Sequence, residues 1–216
     1  MNKQEIKQKW QQALTLAQSF TPDKFKFYEQ KDHVVISSCE DPNGTVVMGQ
    51  LVIEKCTAAE YLQVIQTTEL KTWVLLDPKA KEYVELDSFE DQDGHYSIRY
   101  YIGASPNMMV SDRDFIICLH IHHDDQVSSN RYIVVTTSVD GSYTSDLATS
   151  HGVRGTNIFS YHELVETEHG DLQVVFKGQA SANGWIPTAV ANQVVYGRPL
   201  IIAAVAKYLG KSTRSV

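Results

Sequence analysis

A chain of 216 residues, 43% of them hydrophobic, can bury a substantial core, which excludes a disordered protein. The net charge of −7 argues against a nucleic-acid-binding protein, which needs a basic face, so no nucleic-acid partner is expected. The three cysteines form no CxxC pair, and the polar N-terminus is unlike a signal peptide. We therefore expect a cytoplasmic protein with free thiols.

The first third of the chain predicts a mixture of helix and strand. Residues 3–20 have apolar residues at helical spacing, which predicts an amphipathic helix. Thr57 and Glu60 form a capping-box pattern that should begin a second helix reaching the region of Trp73. Between these helices, three strands are expected at 25–29, 33–38 and 45–54.

The next hundred residues predict a run of strands. Short spacers favour antiparallel neighbours, because parallel pairs need long crossovers. Apolar and polar residues alternate, so the sheet should have one apolar and one mixed face. The six expected strands are 83–89, 95–102, 114–122, 131–139, 153–166 and 171–180.

A long, nearly uncharged helix is expected over residues 184–210. Pro187 suits its first turn, where the missing N–H would be unpaired in any case. Pro199 lies in the middle and removes a helical hydrogen bond, so a kink is expected near residues 195–196. The order of elements contains no repeat or linker and favours one α+β domain over residues 1–216.

Three motifs in this order resemble those of the StAR-related lipid-transfer (START) domains. Residues 110–115, VSDRDF, resemble the family's (V/I)S-x-RD-(F/Y) motif at the start of its sixth strand. Residues 153–157, VRGTN, resemble the start of its eighth strand, and residues 184–187, GWIP, resemble the G-x-(I/L)-P opening of its last helix. Trp73 lies where the family usually has a tryptophan, and the order of elements agrees along essentially the whole chain.

This resemblance implies a helix-grip fold, in which a curved antiparallel sheet of about nine strands wraps round the C-terminal helix and encloses a hydrophobic tunnel. It implies a protein without enzymatic activity that carries one lipid between intracellular membranes and touches their surfaces transiently. No catalytic residue, metal or cofactor is expected. It also implies a gate formed by the last helix, with its kink at Pro199, and the 103–110 loop, where Met108 and Met109 suit a lid that repacks.

The lining of this tunnel is predicted from the apolar strand faces and the last helix. Three of its members, Tyr96, Tyr100 and Thr156, carry hydroxyls that require a partner when buried and are the expected polar contacts. The full predicted lining is Tyr96, Ile98, Tyr100, Ile117, Leu119, Thr156, Ile158, Leu172, Val174, Phe176, Val190, Val194 and Ile201.

Two headgroup sites of the family have no counterpart at the matching positions. Sterol-carrying members have an acid and an arginine where this sequence has Tyr100 and Leu119. Phosphatidylcholine-carrying members have an arginine and an aspartate where it has Leu70 and Val74. This favours a weakly polar ligand such as a sterol, a fatty acid or a diacylglycerol over a charged head, and a phospholipid stays open.

Alternatives stay open beside a lipid carrier. Related curved-sheet folds host polyketide cyclases, which need His, Arg or Asp side chains clustered in the cavity. A lipid sensor acting through a protein partner would share every sequence feature of a carrier. His120 and His122 lie on one strand face and suit zinc, but no third ligand is near, so no metal site is predicted. Three other charged residues are expected to be structural: Arg113, Asp114 and Arg154.

Overall fold

A computed structural model of the chain describes residues 1–105, 110–124, 130–143 and 152–216. The elements in this part follow the predicted order, from an N-terminal helix through strands and short helices to a C-terminal helical segment. In chain order they are α1 (Lys3–Ser19), a 3-10 turn (Pro22–Lys24), β1 (Lys26–Lys31), β2 (Val34–Asp41), β3 (Gly44–Ile53), α2 (Ala58–Gln66), α3 (Leu70–Leu76), β4 (Ala80–Asp91), β5 (Gly94–Gly103), β6 (Arg113–His123), β7 (Arg131–Ser138), β8 (Val153–Arg154), β9 (Thr156–Glu166), β10 (Leu172–Ser181), α4 (Thr188–Gly197), a 3-10 turn (Arg198–Leu200), α5 (Ile201–Tyr208) and β11 (Thr213–Arg214).

The strands of the described residues form one large sheet. Nine long strands pair in the order β1-β2-β3-β10-β9-β7-β6-β5-β4, and every neighbour in this path is antiparallel. The two-residue strands β8 and β11 lie off the path, paired with β6 and β3. The prediction of an antiparallel sheet of about nine strands is confirmed.

Local sequence explains where the helices begin. The side chain of Asn2 accepts a hydrogen bond from the backbone N–H of Glu5 and caps α1. The predicted capping box begins α2, because the Thr57 side chain accepts from the N–H of Glu60 and the Glu60 carboxylate accepts from the N–H of Thr57.

Three predicted elements are divided in the structure. The helix expected from the capping box to Trp73 ends at Gln66 and resumes as α3. The strand expected over 153–166 is interrupted at Gly155, where a Cβ would lie 2.4 Å from the Phe115 ring. The long last helix is split by the 3-10 turn that contains Pro199, a few residues beyond the expected kink.

Both faces of the sheet are covered, so both carry apolar residues. On one face, Trp10 and its neighbours on α1 pack against a cluster that includes Ile98, Cys118 and Phe159. On the other face, α2 and α5 pack against a second cluster that includes Leu164 and Val174. The expectation of one apolar and one mixed face is therefore wrong for much of the sheet, because α1 and the C-terminal helix each require an apolar surface.

Candidate functional site

A cavity of about 1170 Å³ lies between the second face of the sheet and the C-terminal helical segment. The strands from β4 to β10, the helices α3, α4 and α5, and the loop ends at Ser105 and Val110 supply its walls. Most of the lining side chains are apolar, as in pockets that enclose small hydrophobic molecules. The cavity is slightly larger than the upper end of about 1,000 Å³ that is usual for small-molecule sites.

The helical segment that covers the cavity has an anchored half and a loosely packed half. In α5, Ile202, Val205 and Ala206 are buried, whereas no residue of α4 is buried. Over Thr188–Tyr208 the mean hydropathy is 1.3, enough for a membrane-spanning helix by length and composition. The fold accounts for this apolar character, because the segment forms one wall of the cavity.

Pro199 fixes the junction between these two halves on the sheet. The proline is buried, and a Cβ added to Gly49 of β3 would lie 2.5 Å from the Pro199 Cβ. Contact this close is possible only because Gly49 has no side chain. The break in the helix is therefore seated on the centre of the sheet, and α4 extends from it over the cavity.

Several charged side chains line the cavity, among them Asp77, Arg113 and Lys207, and one of them, Arg198, lies against Phe176. Its Nη2 donates hydrogen bonds to Asn157 Oδ1 at 2.9 Å and to Ser160 Oγ at 2.8 Å, and its guanidinium carbon lies 5.9 Å from the centre of the Phe176 ring. Burial lowers the pKa of Arg198 to about 10, so the guanidinium is still charged at neutral pH. The sequence signal for this residue was its position as a lone arginine beside Pro199 in a nearly uncharged helix.

His162 lies on the same wall but remains neutral. Its Nδ1 shares a hydrogen bond of 2.9 Å with the hydroxyl of the buried Tyr61, and its ring packs edge-on against Phe176. Burial, together with the positive charge of Arg198, lowers the pKa of His162 to about 3. An imidazole with this pKa takes up no proton near neutral pH.

The predicted lining residues fall into two groups in the structure. Six of them lie at the cavity wall: Ile117, Leu119, Phe176, Val190, Val194 and Ile201. Leu172 and Val174 belong to the core cluster on the cavity side of the sheet, away from the cavity surface. The others lie elsewhere, with Tyr96, Ile98, Tyr100 and Ile158 packed in the cluster under α1.

Strand register explains this division. In the β5–β6 pair, Tyr100 lies opposite Ile116 and Tyr101 lies opposite Phe115, so residues of equal parity share a face. Ile117 and Leu119 therefore cannot share a face with Tyr96, Ile98 and Tyr100. The cavity side of β5 carries Arg99, which is buried because it binds the carbonyl oxygens at the end of α2.

The three hydroxyls expected as polar contacts are bonded within the protein. Tyr96 donates to Asp93 Oδ2 at 2.6 Å, and Tyr100 donates to Asp114 Oδ2 at 3.1 Å. Thr156 Oγ1 accepts a hydrogen bond of 3.2 Å from the side chain of Asn183. The polar side chains at the cavity wall include Arg198, Asn157, Ser160 and Thr136, which the sequence did not single out for this role.

The predicted gate lies partly outside the described residues. Met108 and Met109 belong to the part of the loop that the structure does not describe. The ends of this loop, at Gly103, Ala104, Ser105 and Val110, line the cavity.

The charged residues expected to be structural make intramolecular contacts. Arg113 donates to the backbone oxygens of Ala182, at 2.6 Å, and Asn183, at 3.1 Å, and so ties β6 to the loop before α4. The carboxylate of Asp114 is fully buried and lies 2.8 Å from Arg154.

One of the histidines considered as zinc ligands, His120, has a packing role in the core. His120 is buried, where its ring packs at 4.6 Å from that of Trp10 on α1. Among the residues that the structure describes, no group of three or more His, Cys, Asp or Glu side chains is placed to hold a metal ion.

The solved structures that are similar in fold include START domains. Human StAR-related lipid transfer protein 5 is similar over 96% of this chain and 100% of its own, with a TM-score of 0.73 and 16% identity. Human STARD10 is similar over 93% of this chain and 78% of its own, with a TM-score of 0.70 and 14% identity. The STAR-related lipid transfer protein of Xanthomonas axonopodis is similar over 87% of this chain and 99% of its own, with a TM-score of 0.68 and 18% identity.

No protein-family model matches the sequence, and no curated protein sequence matches it either. At these identities the likeness between structures concerns the fold alone. The chain has the helix-grip fold of START domains, as its three motifs predicted.

Proposed function

We propose that this protein binds one hydrophobic lipid in the cavity and carries it between intracellular membranes, without catalysing a reaction. The observation that best supports this proposal is the cavity of about 1170 Å³ with largely apolar walls. Each methylene group removed from water stabilises the bound lipid by about 0.8 kcal/mol, and the same methylene is stabilised to a similar extent in a membrane. A carrier therefore needs only a comparable, reversible environment, which such a cavity supplies.

The opening for the lipid is proposed at α4 and the 103–110 loop, whose described ends line the cavity. Because α4 buries none of its residues, moving it exposes little core, whereas moving α5 would expose Ile202 and Val205. In this proposal Pro199 is the fixed point about which α4 moves, and Met108 and Met109 keep the gate role that the sequence predicts for them.

The surface around α4 is suited to transient contact with a membrane. Trp185 is 78% exposed and directly precedes Ile186, which lines the cavity. Leu75 on α3 and Val194 on α4 also line the cavity and are 66% and 40% exposed. Tryptophan favours the interface between membrane and water, so these side chains would bring the opening against the bilayer. We propose that the whole chain acts as one such domain in the cytoplasm.

The cyclase alternative needs an acid–base group in the cavity. Among the titratable side chains at the wall, Asp77 accepts a hydrogen bond from Tyr101 and Arg113 binds backbone oxygens before α4. Two others are His162, with a pKa of about 3, and Arg198, with one of about 10. A general acid or base works best with a pKa near the working pH, and neither residue meets this condition. We therefore favour binding over catalysis.

The binding proposal is tested by native mass spectrometry of the purified chain, followed by extraction and identification of any lipid. Ala203→Trp fills the cavity from the anchored α5, and Ala189→Trp adds the same side chain to an exposed position of α4 outside the cavity lining. We expect Ala203→Trp to reduce the bound lipid and Ala189→Trp to retain it. Equal lipid content in both variants would contradict binding in this cavity.

Carriage is tested separately with donor and acceptor vesicles that contain a fluorescent lipid of the class identified. A carrier accelerates net delivery in proportion to its concentration. Rapid binding without delivery would instead support the lipid-sensor alternative.

A further inference from the structure

Buried cations elsewhere in the described chain neutralise the ends of helices. Arg99 is 2% exposed and donates to the carbonyl oxygens of Ile65, at 3.1 Å, and Gln66, at 2.9 Å, where α2 ends. Lys177 is 7% exposed and donates to the carbonyl oxygen of Phe20 at 2.7 Å, just beyond α1. The C-terminal end of a helix carries partial negative charge, so both cations have an electrostatic partner within the fold.

Arg198 has no comparable partner. Its two hydrogen bonds go to neutral side chains, Asn157 and Ser160, and both come from Nη2. Within the described residues, Arg198 forms no salt bridge, and its Nε and Nη1 make no hydrogen bond. A guanidinium has five N–H donors, so three are left for another group.

The two neutral partners do not depend on the arginine. Ser160 Oγ donates to Asn157 Oδ1 at 3.1 Å, and the amide nitrogen of Asn157 donates to the backbone oxygen of Thr136 at 3.0 Å. Without Arg198, Asn157 and Ser160 would still have hydrogen-bond partners. A structural role in satisfying them does not explain why a charge is placed here.

A charge in an apolar wall is unfavourable unless an opposite charge joins it. Two acidic residues, Asp32 and Asp77, line the cavity, but neither forms a salt bridge with Arg198 within the described residues, and Asp77 accepts a hydrogen bond of 2.6 Å from Tyr101. We propose that the bound lipid supplies the opposite charge, through a carboxylate or phosphate head that binds Arg198 while the acyl chain occupies the apolar part of the cavity. This inference rests on the proposed function and departs from the weakly polar ligand that the sequence favoured, because it expects a lipid with an anionic head.

The wild-type protein tests this proposal with two pairs of lipids that differ only in the anionic group. One pair is oleate and oleyl alcohol, and the other is dioleoyl phosphatidic acid and dioleoylglycerol. Binding to the delipidated chain is measured by isothermal titration calorimetry. We expect the anionic member of at least one pair to bind about 10- to 100-fold more tightly, as for a hydrogen-bonded charge pair. The pair that shows the difference identifies the head as carboxylate or phosphate.

Three variants locate the effect. Arg198→Gln should abolish the preference for the anionic lipid, measured as the ratio of the two affinities, and Arg198→Lys should retain part of this preference. Lys3→Gln removes one positive charge from α1 on the opposite side of the sheet and should change neither affinity. The ratio of the two affinities does not depend on overall stability, so a merely structural role of Arg198 would leave it unchanged.

Each outcome decides between the two proposals. Equal wild-type affinities within both pairs would overturn the anionic head while leaving lipid binding intact. An unchanged preference in Arg198→Gln would overturn the role of this residue. If none of the four lipids binds and none is carried through purification, the proposed function itself fails.

Discussion

Gly49→Ala should show whether the break in the last helix is held by direct contact with the sheet. The new Cβ would lie 2.5 Å from the Pro199 Cβ and 3.0 Å from Val34 Cγ1. Carbon atoms are in favourable contact at about 3.5–4.0 Å, so Pro199 would have to withdraw by about 1 Å or more. Its ring cannot rotate away, and Gly49 lies between paired strands on both sides.

Overpacking of this kind costs about 1–3 kcal/mol. For a chain of this length each kcal/mol lowers the Tm by about 2–4 °C, so we expect a decrease of about 2–12 °C in thermal unfolding followed by circular dichroism. Because α4 ends next to this contact, displacement of Pro199 from the sheet in Gly49→Ala should also loosen α4 and accelerate the exchange of lipid between vesicles.

Gly197→Ala is the matched control, because a Cβ there meets nothing within 4 Å and the backbone is helical. This substitution should stabilise the protein by about 0.4–1 kcal/mol. In the Pro199→Gly background, which lacks the opposing Cβ, Gly49→Ala should lose most of its effect. A Gly49→Ala protein as stable as the wild type, or an equal loss in both backgrounds, would refute the reasoning.

Four further substitutions test other contacts. Pro199→Ala restores a helical N–H and should slow lipid exchange between vesicles; exchange as fast as in the wild type would contradict a hinge here. Thr57→Ala removes half of the capping box and should cost about 1 kcal/mol in urea unfolding, while an unchanged midpoint would deny its importance. His162 has its pKa lowered to about 3, so above the unfolded value of 6.5 its contribution to stability is complete. As the pH falls from 6.5 towards 3 only the unfolded chain takes up this proton, so the free energy of unfolding decreases by about 1.4 kcal/mol per pH unit. The free energy of unfolding of His162→Asn should therefore depend less steeply on pH. Equal slopes for variant and wild type would contradict a neutral, buried His162. Arg99→Met leaves the carbonyl oxygens at the end of α2 without a hydrogen-bond donor and should lower the free energy of unfolding by about 3 kcal/mol or more. A small decrease would show that water replaces the guanidinium.

Most of the fold was predictable from local signals. The capping box at Thr57 is a signal of a few residues whose geometry depends little on distant contacts. The resemblance carried by the three motifs added the helix-grip fold, which alternation alone does not define. The fold class and most element boundaries were therefore accessible from the sequence.

The lining of the cavity was less accessible, because it depends on which face of each strand points inwards. Alternation separates the two faces of a strand without saying which one is inside, and here α1 makes the outer face apolar as well. Ile98 is as apolar as Ile117, yet the two lie on opposite faces. Arg99 adds to the difficulty, because a charged residue on the inner face is explained only by the distant end of α2.

The cavity and its arginine have a common explanation in a bound ligand. A fold selected for stability alone would fill the space with side chains, since empty volume in a core is destabilising. It would also place cations where Arg99 and Lys177 lie, against the negative ends of helices. Unfilled volume and a charge without a counter-charge are both unfavourable for stability, and such features concentrate at functional sites. Here the two occur together, since the guanidinium of Arg198, which has no salt bridge within the described residues, lies at the wall of the cavity. A lipid with an anionic head would account for both features, because its acyl chain occupies the cavity and its head forms an ion pair with Arg198.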